Sequence, residues 1–273
     1  MEPPATTDGQ AARERRLSTK LDQSPGSFFK ARSRELVLAA DYFRDRLQPG
    51  AYSGTARQHY HTLCGATFAT LLSSFELTWK LLYARIIDAT SMYDSRVVDD
   101  KELKISTEAA LAHRESAGAG ILLAEAVGVW QRPGVVNGRF GAAFQVEPID
   151  PMHHDALRDL WQVRHVIAHG SGVTSELDSY RLRRAILPHR ALQLDGDYLR
   201  RAETELLAVV SDGVSRVGTR LLDDYFNRNP APIWTLDQQE FTRLFLLGLV
   251  AAQTQDLPDV DEPMFLAERA KRP

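Results

Sequence analysis

From about Thr55 to Met92 the chain contains no proline, and Phe68, Leu71, Leu72, Phe75, Trp79, Leu82 and Ile86 recur at intervals of three and four residues. That spacing keeps apolar side chains on one face of a helix, so the pattern predicts one long amphipathic helix here. Upstream, Ser24-Pro25 has the form of a helix start, with a small polar cap and proline at the first helical position. Phe28, Leu36, Leu38, Ala39 and Phe43 continue that helix until Pro49-Gly50 stops it. Downstream, the same periodicity predicts shorter helices over Lys101 to His113 and Gly120 to Trp130, a long one over Tyr198 to Phe226, and a last one over Leu236 to Thr254.

Two stretches break the helical pattern. Residues 131 to 149, with Pro133-Gly134 and scattered glycines, read as a loop packed on the core. Ser179 to Gly196 reads as a short β-hairpin, with Tyr180, Leu182 and Ala185-Ile186-Leu187 on one arm, Ala191-Leu192-Gln193-Leu194 on the other and Pro188 near the turn. The expected fold class is therefore all-α: a bundle of long antiparallel helices with at most one hairpin. The expected organisation is a disordered polar tail over residues 1 to 23, one helical domain over 24 to 254, and a frayed tail over 255 to 273.

Composition narrows the setting. The chain has 273 residues, 44% of them hydrophobic, enough for a sizeable core. Its formal net charge of -3 gives no global attraction to nucleic acid, so any such contact requires a local basic patch. Cys64 is the single cysteine, which excludes an internal disulfide and cysteine-rich zinc sites. The polar first 23 residues lack the apolar core of a secretory signal, and the run Leu244 to Ala252 is far short of the ~18 to 20 residues of a membrane span. A cytoplasmic protein without membrane contact is expected.

The most distinctive chemistry lies in Leu160-Trp161-Gln162-Val163-Arg164-His165-Val166-Ile167-Ala168-His169-Gly170. Pro151 starts a helix that runs to His169, and Gly170 stands where a left-handed terminator is expected. On this helix Leu157, Leu160, Trp161, Arg164 and Ala168 follow the inward stripe, while Asp155, Arg158, Gln162, His165 and His169 follow the polar one. Arg164 is then a charge on or beside the buried side, and needs a carboxylate, a phosphate or exposure in a cleft. Glu76 on the long helix is a candidate carboxylate, or simply a solvated or structurally paired helix acid. At the helix C-terminus the macrodipole favours the positive form of His169 by roughly 0.3 to 1 kcal/mol when exposed.

The run Arg164-His165-Val166-Ile167-Ala168-His169 resembles the R-x4-6-H signature of the HEPN superfamily, in its form with Asn, Asp or His directly after the arginine. Gly170-Ser171-Gly172-Val173 also resembles the glycine-containing exit of several HEPN groups. The resemblance is specific over this short motif and extends in architecture to residues 55 to 225. It implies a helical bundle that forms a homodimer with the two motif helices lining one cleft. It further implies a metal-independent endoribonuclease without cofactor, acting on RNA in a toxin or antiviral defence role, with an antitoxin or defence-system protein as partner. Carried over, Arg164 holds the scissile phosphate, His169 exchanges protons, and His165 orients them. The tyrosine that toxins paired with a nucleotidyltransferase carry two residues after the histidine is Ser171 here, so silencing at that site is not implied.

Other candidates complete the reading. Arg181, Arg183, Arg184 and Arg190, with no acid between them, have the composition of an RNA-backbone contact or of a solvated basic edge. Metal sites are not expected: His59 with His61 and His153 with His154 lack ligand spacing, and His165 with His169 lacks the H-E-x-x-H glutamate, residue 166 being Val. Gly118-Ala119-Gly120 lacks the lysine of a phosphate loop. The alternatives to catalysis are a non-catalytic HEPN protein that binds RNA or protein through the same cleft, and a helical adaptor in which the motif is coincidental.

Overall fold

The computed structural model describes residues 24–46, 54–98, 119–126, 130–170, 172–182, 188–229, 232–251 and 257–272. Ten α-helices lie within them: α1 Pro25–Arg46, α2 Gly54–Ala89, α3 Asp94–Val98, α4 Ala119–Ala126, α5 Pro133–Phe144, α6 His154–His169, α7 Glu176–Arg181, α8 Gly196–Arg228, α9 Trp234–Leu247 and α10 Glu262–Ala270. The fold is all-α, as the periodicity predicts. The expected helix over Lys101 to His113 and the tail over residues 1 to 23 lie outside the described residues.

Three long helices carry the bundle. α2, of 36 residues and so about 54 Å long, packs against α1, and α8 packs against both. Its predicted stripe is the core: Phe68, Leu71, Leu72, Trp79, Leu82 and Ile86 are wholly buried. The exposed Thr62, Thr70 and Ser73 and the buried Ser74 and Thr78 each donate a hydroxyl to the carbonyl four residues earlier, which satisfies them without outside partners. α8 is capped by Asp195, whose carboxylate accepts the Tyr198 N–H at 2.8 Å.

The start of α1 is fastened to a segment far along the chain, just past α9. Ser24 Oγ donates to the Leu249 carbonyl at 2.8 Å, and Ser27 Oγ accepts the Ala251 N–H at 2.9 Å. Where α8 passes the end of α9, Gly218 and Gly248 meet backbone to backbone. A β-carbon on Gly218 would stand 2.3 Å from Gly248 Cα.

Three expectations are corrected. Residues 133 to 144 form α5 rather than a loop: Pro133 opens it, and Val136, Phe140, Ala143 and Phe144 form a helical apolar stripe that the intervening glycines mask. Buried Asn137 clips the following chain, donating to the Ile149 carbonyl at 2.7 Å and accepting its N–H at 2.9 Å. The first arm of the expected hairpin is instead helical through Arg181, since α7 takes Tyr180 and Arg181, and Leu182 follows in an extended conformation. The second arm meets residues 172 to 174 through the single bridge Val173–Ala191. The C-terminal segment also carries packed structure: α10 buries Phe265 against Phe226, Trp234 and Phe241, with ring centroids 5.7, 5.6 and 4.9 Å away. Phe265 is the one residue this helix buries, so no periodic apolar stripe marks it in the sequence.

Candidate functional site

A 3-10 turn, Pro151–His153, leads into α6, and Asp150 caps it by accepting the Met152 N–H at 2.9 Å. His153 ties this entry to α8 through Glu205, with Nδ1 and Oε1 3.1 Å apart. α6 then buries Leu157, Leu160, Val163 and Val166 against the bundle. The inward stripe therefore runs through the valines. Trp161 and Arg164 flank it half-buried, and Ala168 is exposed. Choosing Arg164 and Ala168 as inward residues misplaced the stripe by less than half a turn.

The opposite face of α6 forms the floor of an open cleft of about 660 Å³. Arg164, His165 and His169 all line it, together with His154, Arg158, Trp161 and Gln162 of the same helix. Arg132 and Gly134, at the start of α5, form one wall, and Arg181 of α7 forms another. Four arginines and three histidines thus face a space lined by no carboxylate. Arg158 is the one of these arginines with an ion-pair partner among the described residues, Asp155 at 2.6 Å.

Helical geometry explains how the motif converges. Positions 154, 158, 161, 162, 165 and 169 share one arc of α6, while residue 164 lies about 100° from residue 165. Arg164 bridges that angle by lying over the indole of Trp161, with its guanidinium carbon 5.0 Å from the ring centroid. Its Nε is sealed from solvent without a hydrogen-bond partner. The expected Glu76–Arg164 pair is absent: among the described residues Arg164 forms no ion pair, and Glu76 is not part of the cleft. Glu76 sits half-buried on α2.

His165 and His169 are both exposed, one helical turn apart, with ring centroids 4.7 Å from each other. The chain leaves the last turn without a left-handed residue at Gly170, whose φ is -98°. Gly170 and Gly172 N–H both donate to the Val166 carbonyl, at 2.9 and 3.1 Å, and the left-handed residue is Gly172, with φ 78°.

Asp178 is the residue that motif reading missed. It closes a capping box with Ser175 at the start of α7 and accepts Gln162 Nε2 at 2.9 Å, which holds α7 on α6 and places Arg181 at the cleft. The Ser175 hydroxyl and N–H, together with nearby His165 and Arg181, hold its carboxyl below the usual carboxylate range against partial burial. The pattern Ser175-Glu176-Leu177-Asp178 is the sequence signal that would have found it. Arg132 had no such signal, because its placement depends on α5.

The expected basic cluster divides. Arg181 lines the cleft; Arg190 is exposed on the bridged segment, its carbonyl accepting the Thr174 N–H at 3.0 Å, and is not part of the cleft lining. Arg183 and Arg184 lie outside the described residues. Among the described residues no helix is long and apolar enough to cross a membrane. No protein-family model, curated protein or solved structure matches this chain.

Proposed function

We propose that the chain is a metal-independent endoribonuclease of HEPN type, acting in a toxin or antiviral defence role. The observation that carries this reading is the cleft: Arg164, His165 and His169 line one space with three further arginines and no carboxylate. Such a space attracts a polyanion despite the net charge of -3 of the whole chain.

In this reading Arg164 binds the scissile phosphate and stabilises the charge that develops on its oxygens. His169 accepts the proton of the ribose 2′-OH as the 2′ oxygen attacks phosphorus. The bond from phosphorus to the 5′ oxygen breaks, that oxygen takes up a proton from water, and the products are a 2′,3′-cyclic phosphate and a 5′-OH. His165, its ring 4.7 Å from that of His169, orients the two. A homodimer with facing α6 helices completes the site by bringing Arg164 of one copy toward His169 of the other. A cytoplasmic antitoxin or defence protein is the expected regulator.

The test is incubation of wild type and His169→Ala with labelled total RNA and tRNA in EDTA, reading fragments and their 3′ ends. Cleavage by wild type alone, leaving cyclic phosphate, supports the proposal. Binding of RNA without cleavage by either protein supports the second reading, a non-catalytic HEPN protein using the same cationic cleft.

A further inference from the structure

The guanidinium of Arg164 has neither of the partners that usually hold a half-buried arginine. No carboxylate pairs with it among the described residues, and its Nε is sealed from solvent without an acceptor. Its defined neighbour is Trp161, one turn earlier on α6, with the guanidinium carbon 5.0 Å from the ring centroid. Trp161 itself lines the cleft, and its Nε1 is likewise sealed without a partner. The indole therefore acts here as a π-face and an apolar surface rather than as a hydrogen-bond donor.

We propose that Trp161 is the positioning residue of Arg164: the indole face, in place of a carboxylate, holds the guanidinium at the cleft and leaves its charge uncompensated for a phosphate. This rests on the reading of the cleft as an RNA site. The physical reason is electrostatic. A carboxylate partner fixes an arginine but cancels most of its field, so an incoming phosphate has to compete with it. An aromatic face attracts the cation through its quadrupole and carries no net charge. An arginine laid over an indole is thus ordered before the ligand arrives, and the side-chain entropy that a free arginine loses on binding is already spent. The i, i+3 relation places both partners on α6, where Trp161 is held by its packing against the core.

The experiment compares Trp161→Phe, which keeps an aromatic face, with Trp161→Leu, which keeps apolar bulk alone. Both are made in the His169→Ala background, and each is paired with Arg164→Ala. The readout is binding of a fluorescein-labelled single-stranded RNA oligonucleotide, by anisotropy in EDTA, with urea denaturation of each variant as the control for folding. Trp161→Leu is expected to weaken binding about tenfold and Trp161→Phe about threefold or less. In the Arg164→Ala background Trp161→Leu is expected to change nothing further, because its effect passes through the arginine.

Equal losses from Leu and Phe, or a loss that persists in full when Arg164 is already absent, would overturn the role of Trp161 and leave the RNA reading standing. Failure of the His169→Ala parent to bind the RNA at all would overturn the RNA reading and this inference with it.

Discussion

A β-carbon placed on Gly170 would stand 2.6 Å from the carbonyl oxygen of Val173 and 2.9 Å from that of Val166. The backbone φ at Gly170 is one any residue adopts, so the demand for glycine is one of space. Gly170→Ala is expected to push the exit loop away from the last turn of α6, at a cost of about 1 to 3 kcal/mol. Urea denaturation measures that cost, and loss of RNA cleavage beyond the destabilisation would report displacement of His169. An unchanged midpoint would show that the loop yields freely.

Arg164 rests on an aromatic face and has no carboxylate partner among the described residues. Arg164→Ala should therefore lower stability by only ~0.5 to 1 kcal/mol, far below the ~3 to 5 kcal/mol that removing one partner of a buried ion pair costs. The exposed His169 should tolerate alanine within ~0.5 kcal/mol. Chemical denaturation of the two variants checks both, and cleavage absent from two well-folded proteins is the expected companion result.

Glu203 of α8 is 6% exposed and accepts the Ser33 hydroxyl of α1 at 3.3 Å. Burial pushes its carboxyl above the ordinary Glu range, an effect that Arg34 and the Ser33 hydroxyl offset in part. The folded state then holds this proton more tightly than the unfolded chain. The resulting stability is fully present below the unfolded value of about 4.3 and is lost as pH rises through the raised folded one. Glu203→Gln, which never ionises, should melt a few degrees above wild type at pH 7. The gap should close as pH falls toward 4, and parallel melting curves between pH 4 and 8 would refute this.

Phe265 is 1% exposed and touches three other aromatic rings. Phe265→Ala should cost about 3 to 5 kcal/mol, in contrast to the near-neutral effect expected of a residue in a frayed tail. A thermal melt decides between them.

The sequence made the long helices legible because their apolar stripes are uninterrupted. α2 ends within three residues of its predicted limit, at Ala89 rather than Met92. It concealed elements whose stripe is diluted: α5 carries Gly134, Gly138 and Gly141 on its open side, where a β-carbon would meet nothing. Within the site, the convergence of Arg158, His165 and His169 was readable from one helical arc. The position of Arg164 was not, because a flexible side chain chose Trp161 over Glu76, and that choice belongs to tertiary packing. Arg132 was illegible for a different reason, since a residue cannot be assigned to a cleft before its wall is recognised as a helix.

The clasp between Ser24, Ser27 and residues 249 to 251 spans separations of 225 and 224 positions. On a ribosome, the first helix is made long before the chain that completes its cap. α1 cannot reach its final seat until the end of α9 has emerged, so these closing contacts belong to the last stage of folding. Any activity that depends on the finished bundle is thereby withheld from the nascent chain, and a truncated product lacking residue 249 onward leaves α1 without its two bonds to that segment.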